Sequence, residues 1–585
     1  MSQAETLRYE WNTIPWPLVE RKVFKLQRRI YQASQRGDVK LLHRLQRLLT
    51  NSTFAKLLAT RRVTQDNSGK KTAGVDGVAA LTPEQRLKLS MRLNLNGESL
   101  PVRRVWIPKP GKTEKRPLGI PAMKDRAKQA LVKLALEPEW EARFEPNSYG
   151  FRPGRSCHDA IEAIFGVIKN KEVYVLDADI SGCFDNISHE GLLQKLRTIP
   201  RLRKLIKAWL KAGVMEGDVF HTTKSGTPQG GVISPLLANI ALDGLETETR
   251  NHLSDELLRN EKARGGQANR KRASFTLGIV RYADDFVVLH RDRSIVETAK
   301  AFIEEWLKNI GLEFKPSKTR ISHTLKEMDG ETGFDFLGFN VRQYPTKNNK
   351  VGFKSLIKPS KEAFARHLTV VKDELRNLRG APQEAVISKL NPIIKGWSRY
   401  YCSSVARKAF ETADHRTHQK LWQWAMFRHP HKGDQWIKRK YFRQHGGFEW
   451  KFMTHEGKFL MLHSDHKIQR HVKVAGTKSP YDGDWTYWTS RIGRAPGIPP
   501  RVAKLLKRQN GACTYCRLCF RPEDKIEVHH LDGNHKNNAE HNLWLMHRHC
   551  HDDAHGQGVY DKHLSVEEPD EPKGSSPVLK PSVEG

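Results

Sequence analysis

Arg281-Tyr-Ala-Asp-Asp-Phe-Val-Val-Leu289 is the stretch from which the rest of the chain can be read. Asp284 and Asp285 sit between two short apolar runs, 277–282 and 286–289. Neither run has a helical period and both are β-branched, so the pattern predicts strand, tight turn, strand. The turn lacks the Gly or Asn that a relaxed two-residue hairpin prefers. Adjacent acids on such a turn mark backbone strain retained for chemistry. Two neighbouring carboxylates repel, and a divalent cation relieves the repulsion. Taken alone, a solvated acidic turn would have the same composition.

A second acidic strand decides between the two. Lys171-Glu-Val-Tyr-Val-Leu-Asp-Ala-Asp-Ile180 alternates, so Val173, Val175, Asp177 and Asp179 share one face. Carboxylates that continue an apolar face of a central strand are costly without a counter-charge. Asp179 beside Asp284 and Asp285 gives three hard oxygen donors, suited to two Mg²⁺ ions. Such a pair of ions serves an in-line phosphoryl transfer from a nucleoside triphosphate to a 3′-hydroxyl.

The Tyr-Ala-Asp-Asp turn is preceded by Asp-Ala-Asp-Ile-Ser-Gly-Cys-Phe-Asp (177–185) and by Gly226-Thr-Pro-Gln-Gly-Gly-Val-Ile-Ser-Pro235. Together these resemble the palm of a group II intron-encoded reverse transcriptase. The resemblance runs outward through Arg116-Pro-Leu-Gly-Ile-Pro121, Ser148-Tyr-Gly-Phe-Arg-Pro153, Gly333-Phe-Asp-Phe-Leu-Gly-Phe339 and Leu390-Asn-Pro-Ile-Ile-Lys-Gly-Trp397. It covers roughly residues 10–560, and it is the combination that is specific. It implies an α+β multidomain protein: a right-hand polymerase of fingers, palm and helical thumb, followed by a small ββα-metal domain.

Composition agrees with a nucleic-acid partner. The 585 residues suit about four domains, and the formal net charge is +35. Lys and Arg spread over the whole chain point to a polyanion, because neutralising phosphates releases counterions. No apolar run approaches the ~20 residues that span a bilayer. The N-terminal Met-Ser-Gln-Ala-Glu has no signal-peptide or transit-peptide character. The expected setting is therefore a bacterial-type cytoplasm with no membrane contact. Seven cysteines, four of them within 513–550, fit a reduced compartment and a metal site better than disulfides.

In chain order, residues 1–60 read as an N-terminal helical, RNA-binding extension. Its stripes are Val19, Val23, Leu26, Ile30 and Leu41, Leu45, Leu48, Leu49, with the break at Gly37-Asp38. Lys25, Arg28 and Arg29 lie on the opposite face, and the resemblance turns that face toward RNA. Residues 61–350 are fingers and palm, with 60–121 read as loop and strand and 253–273 as a polar, basic loop. By resemblance Lys109 and Arg116 hold the triphosphate, a role that suits cations on a loop. The resemblance puts Phe184 under the sugar as a gate against a 2′-hydroxyl, with simple core as the alternative; Gln229 could touch the nascent pair or the primer; Lys318 would contact phosphate or pyrophosphate, with a solvated turn as the alternative. Residues 351–430 are the thumb and maturase surface, read as helices over 360–379, 383–407 and 411–428. There Lys395 and Arg399, interleaved with Trp397, Tyr400 and Tyr401, suit RNA; aromatic core with solvated cations is the alternative. Residues 431–500 read as a basic, DNA-binding linker module.

Residues 501–556 hold a second site. Cys513-Thr-Tyr-Cys516 and His547-Arg-His-Cys550 are two pairs with the spacing of a tetrahedral Zn²⁺ site. Val528-His-His-Leu531, Asn542, His551 and His555 complete a pattern that resembles an HNH endonuclease. Cys519 leaves 516/519 open as the first pair; 513/516 is preferred because Phe520 then falls at that family's aromatic position. That resemblance implies His530 as general base, His529, His551 and His555 as ligands of the nuclease's divalent ion (Mg²⁺), and Asn542 as a lock on the loop carrying His530. A zinc-stabilised DNA-binding module without catalysis is the alternative. Residues 557–585 are polar, acidic and without period, and disorder is expected there.

The reading is an intron-encoded RNA-directed DNA polymerase whose partners are intron RNA, target DNA and deoxynucleoside triphosphates. It also assists splicing, and it nicks DNA to supply a primer. The rivals are a splicing-only maturase and a stand-alone reverse transcriptase of defence or repair type. The three intact acids argue against the first, and the maturase-like and nuclease-like regions argue against the second.

Overall fold

A four-stranded sheet carries the acids. The computed structural model describes residues 10–108, 114–265, 269–495, 498–521 and 524–556, so Lys109 and the tail 557–585 lie outside the described residues. The sheet runs Gly278–Tyr282, Asp285–His290, Tyr174–Asp179, Arg320–His323, with every neighbouring pair antiparallel. Tyr174–Asp179 is an interior strand. Its alternation divides two cores. Leu176 and Ala178, with Phe286 and Val288 next door, join a large helical core; Val175, with Val287 and Leu289, joins a second one. Asp177 and Asp179 continue the Val175 face, as the alternation requires.

The helical core is built from the N-terminus. Trp16–Gln35 buries Val19, Val23 and Ile30. Asp38 caps the next helix, Val39–Asn51, by accepting from the Leu41 amide at 2.9 Å. The buried stripe there is Leu42, Leu45 and Leu49. Leu48, expected in it, is 53% exposed; six residues from Leu42, it falls about 120° off that face. Two further helices follow: Thr53–Arg61, closing the N-terminal helical extension, and Pro83–Arg92, in the stretch read as loop and strand. The second had a readable start: Thr82 and Gln85 form a reciprocal capping box and Pro83 opens the first turn. The buried helix Met123–Glu141 packs against both Trp16–Gln35 and Thr53–Arg61.

A second sheet runs Lys115–Ile120, Val102–Pro108, Val214–Glu216, Val219–His221, with a parallel pair at its centre. The helix expected near 190–212 is two, His189–Leu196 and Pro200–Leu210. Arg197 at φ 40° ends the first, and Pro200, which has no amide hydrogen to donate, starts the second. The segment 253–273, expected as a loop, is helical over Ser254–Ala263 and Arg270–Ser274. Leu257 and Ala273 are fully buried, and Asn269 caps the shorter helix; two small anchors were enough to fold a mostly polar stretch.

Three helices follow a three-stranded sheet (Phe334–Phe336, Phe339–Pro345, Phe353–Pro359): Lys361–Asn377, Gln383–Tyr401 and Arg407–Arg428. The second ends six residues earlier than expected, at a turn where Ser404 donates to the Tyr401 carbonyl. Residues 431–500, read as one module, divide among three cores, with Ile492 in that of the C-terminal domain. Ile437, Tyr441, Phe452 and Leu460 pack on the three helices, while Val474 and Trp488 enter the second core of the acidic sheet. The Val474 end is held by Asp159, a fully buried carboxylate at the start of helix Cys157–Ile168. Its Oδ1 accepts from His471 Nε2 (3.0 Å), the Val474 amide (2.8 Å) and Arg491 (2.6 Å). The last domain pairs Ile526–His530 with Leu543–His547 and closes with helix Arg548–Gly556. Among the described residues no helix is long and apolar enough to cross a membrane.

Candidate active site

The hairpin turn between Tyr282 and Asp285 is strained in the way its sequence implied. Ala283 has φ 59°, a left-handed conformation for a residue with a Cβ. The turn is held from two sides. The buried Arg281 donates to Asn239 Oδ1 and to the Ala283 carbonyl, both at 3.1 Å. The loop 148–150 lies directly against it: a Cβ on Gly150 would come within 2.4 Å of the Ala283 nitrogen. Here glycine is required by close approach of two backbones.

Asp179 and Asp285 are direct cross-strand partners. Asp177, Asp179 and Asp285 line a cavity of about 360 Å³ together with Lys318, Arg320 and Asp335. Lys318 Nζ donates to Asp179 Oδ2 at 2.5 Å, and the Lys315 amide donates to the Asp179 carbonyl at 2.8 Å. Burial, then the charges of Asp284 and Asp179, push Asp285 up to about 7. Burial is also the main cause that lifts Asp177 to about 6, with Asp335 and Asp179 adding and Arg320 opposing. Asp284 is raised by burial and by Asp179. Carboxylates in this state hold more negative charge than their surroundings compensate, and a divalent cation would return them to their ordinary range. The donor set is right for Mg²⁺. Among the described residues, however, the oxygens of Asp179, Asp284 and Asp285 do not close to within 4.8 Å of one another, and the Lys318 ammonium is the cation seated on Asp179.

Around this cleft, Arg116 is exposed on strand Lys115–Ile120, opposite Ile107, and its charge reaches Asp284, where it opposes the carboxyl's rise. Phe184 is half-buried and edge-on to the exposed Phe151 at 6.1 Å. Gln229 donates to Asp185 Oδ2 at 3.0 Å, and its carbonyl accepts from the Gly119 amide at 2.6 Å. Its loop therefore bridges the second sheet to the Cys183–Asn186 turn. Asp335 and Asp185 are the acids the sequence reasoning passed over. Asp335 had a signal: a lone carboxylate between Phe334 and Phe336 on a short strand.

Lys25, Arg28 and Arg29 are all exposed, and the Arg28 guanidinium lies beside Gly483, where a Cβ would meet it at 2.8 Å. Lys395 is exposed and Arg399 half-buried. Their aromatic neighbours are packed: Trp397 stacks on His367 at 4.5 Å, and Tyr400 and Tyr401 lie on Phe339 at 5.2 and 4.9 Å.

In the C-terminal domain, Cys513, Cys516, His547 and Cys550 are buried with their ligand atoms within 4.8 Å of one another. Cys519 stays outside this group. His547 turns Nδ1 to Cys516 Sγ (3.3 Å), and Nε2 is engaged by Asp524 Oδ2 (3.2 Å). A carboxylate on the far nitrogen is how ligating imidazoles are oriented, and four inward donors fit a closed Zn²⁺ site. Spacing could not reveal Asp524, which precedes His547 by 23 residues. His529, His551 and His555 form a second group within 4.8 Å, nearer the surface. His530, on the same strand, is 8% exposed, and both its ring nitrogens are without a hydrogen-bond partner among the described residues. Asn542 donates to Asp532 Oδ1 (2.8 Å) and to the Asn537 carbonyl (2.9 Å), and its Oδ1 accepts from the Asp532 amide. It thus fixes the loop that leaves His530.

Residues 107–341 match the reverse transcriptase (RNA-dependent DNA polymerase) family, 11–93 the N-terminal domain of reverse transcriptase, and 365–442 the group II intron maturase-specific domain. Protein YkfC of Escherichia coli K12 is 33% identical over 358 residues, 56% of this chain and 91% of that protein. The chain belongs to the group II intron reverse transcriptase–maturase family. Another relative is the group II intron-encoded protein LtrA of Lactococcus lactis subsp. cremoris, 34% identical over 330 residues; the match spans 47% of this chain and about half (53%) of LtrA. Maturase-like protein 1 of Euglena gracilis is 27% identical over 401 residues, 66% of this chain and 76% of that protein. Asp179, Asp284 and Asp285 all lie within the reverse transcriptase match. The family matches end at residue 442, so the C-terminal domain is read from its own residues.

Proposed function

We propose that this reverse transcriptase–maturase copies intron RNA into DNA at the acidic sheet, assists splicing through its N-terminal and maturase-specific helices, and nicks target DNA with its C-terminal domain. The observation that carries the first part is the in-register pair Asp179/Asp285 beside the strained turn that bears Asp284. These carboxylates would hold Mg²⁺, which supplies charge neutralisation at the attacking and leaving oxygens. Arg116 and Lys318 would orient the triphosphate, Phe184 would pack under the sugar, and Gln229, held by Asp185, would position the growing pair. Lys109 is assigned to the triphosphate on resemblance alone. In this scheme fingers and palm are 61–350 and the thumb is 351–430.

For the nuclease, the Cys513/Cys516/His547/Cys550 set would hold a structural Zn²⁺ and His529/His551/His555 a catalytic divalent ion. His530, unpartnered on both nitrogens, would take the proton from the attacking water. Asp284→Asn tests the polymerase reading. Primer extension on an RNA template should vanish while filter binding of intron RNA persists, because RNA affinity is spread over many cations. Normal extension by this variant would remove Asp284 from the site.

A further inference from the structure

A larger cavity, about 1060 Å³, opens away from the acidic sheet where four parts of the chain meet. They are the loop 152–158, helix Gln383–Tyr401, the segment 471–495 and the C-terminal domain from Ile498 to Ile526. Its charged lining is unbalanced. Arg152, Arg155, Lys395, Arg399, Arg491, Arg494 and Arg521 face two carboxylates, Asp484 and Asp524. Both acids are already engaged elsewhere, Asp484 by Lys478 at 2.6 Å and Asp524 by His547. Arg152 is paired with Glu141 and Arg491 with Asp159. Arg155 donates to the Pro146 and Gly476 carbonyls, and Arg521 lies over the Phe24 ring. Lys395, Arg399 and Arg494 have no ion-pair partner among the described residues. Between these cations lies an aliphatic floor of Ile492, Ile498, Val502 and Ile526.

Three uncompensated cations beside an apolar floor fit a ligand with repeated anionic groups and exposed flat faces. A duplex keeps its bases stacked inside and has no use for the floor; an unpaired strand presents both features. One loop links the wall of this cavity to the acidic site. The loop 149–155 has Gly150 against the Ala283 turn and Arg152–Arg155 in the cavity wall.

We propose that the cavity binds a single-stranded stretch of nucleic acid, with phosphates on Lys395, Arg399 and Arg494 and bases over Ile492 and Val502. It would tether one strand between the polymerase site and the C-terminal domain. The proposal rests on the polymerase reading only for the strand's origin.

The test is fluorescence anisotropy of the full-length protein with labelled 12-residue single-stranded DNA, single-stranded RNA and duplex DNA across a salt series. The variant is Lys395→Gln/Arg399→Gln/Arg494→Gln. The control, Lys262→Gln/Lys308→Gln/Lys347→Gln, removes the same charge from exposed positions outside the cavity. The cavity variant should lower the log–log salt slope for a single strand by about 2 units, at roughly 0.7 per lost phosphate contact, and weaken binding by on the order of tenfold or more. The control should do neither. Loss with DNA alone, RNA alone or both supports the site and identifies the strand. Equal loss in control and cavity variants, no loss, or loss confined to duplex overturns it. Failure of Asp284→Asn to stop primer extension would instead fall on the polymerase reading and leave these binding outcomes intact.

Discussion

Replacing Asp159 by Asn should release the segment 471–495 from the palm while the rest of the chain stays folded. The carboxylate is fully buried and accepts from His471, Val474 and Arg491 through Oδ1, and from the Ser156 amide and hydroxyl through Oδ2. Burial opposes its charge, but His471 and Arg491 more than offset that and hold its pKa at about 2, below the usual 3.8. A downward shift of that size corresponds to about 2 kcal/mol favouring the folded, charged form. The amide keeps the shape and loses the charge, so about 2 kcal/mol is the expected local loss; Asp159→Ala, which strands Arg491 in a buried site, should cost about 3–5 kcal/mol. A chain of several domains does not unfold in two states, so hydrogen exchange is the appropriate assay. In the Asp159→Asn protein the amides of 471–495 should exchange roughly 30-fold faster, with the helix Met123–Glu141 unchanged. The sign with pH follows from the depressed carboxyl. The clamp is fully present above the unfolded value of 3.8, and it is lost as pH falls through about 2. Unchanged exchange in 471–495, or equal acceleration everywhere, would refute the clamp.

The other expectations concern the two sites. Gly150→Ala should push the Ala283 turn away, since the new methyl would meet its backbone at 2.4 Å; a displacement of this kind costs on the order of 100-fold in rate, read by primer extension with normal RNA binding as the control. His530→Ala should abolish nicking of supercoiled DNA yet keep its zinc by atomic absorption. Cys550→Ser should lose both, because one missing ligand removes folding energy from a small metal-stapled domain; wild-type protein without zinc would refute that site. RNA binding should weaken steeply with salt, with a log–log slope of several units at roughly 0.7–0.9 per phosphate contact, and a flat titration would contradict an extended basic surface.

Alternation and turn chemistry made the acidic sheet legible: Val173, Val175, Asp177 and Asp179 could be placed on one face, and a turn without Gly at 283–284 could be marked as strained. Both are local properties of a strand pair. The same logic failed where stability comes from distant partners. Helix Ser254–Ala263 is polar throughout except for the buried Leu257 and a flank at Leu258, too little period to detect. In 431–500 no pattern announces a division, because what divides it is a carboxylate more than 300 positions away, Asp159. The metal-ligand spacings gave the Cys/His set, but Asp524, which orients His547, obeys no spacing at all.

Those long-range contacts change how the domains relate. Glu20 on the first long helix pairs with Arg61 and lies 3.4 Å from His549 of the C-terminal helix, while Arg521 sits over Phe24 at 4.8 Å. Tyr481 donates to Glu137 and packs beside Phe24 and Tyr31. The helix that carries Lys25, Arg28 and Arg29 is thus a shared floor for the segment 471–495 and the C-terminal domain, with the exposed Arg28 guanidinium beside Gly483. An RNA bound on that helix and a strand in the 1060 Å³ cavity would both adjoin the segment 471–495. Binding of one can therefore alter affinity for the other through 471–495 and through the C-terminal domain, and linkage requires the effect to be reciprocal.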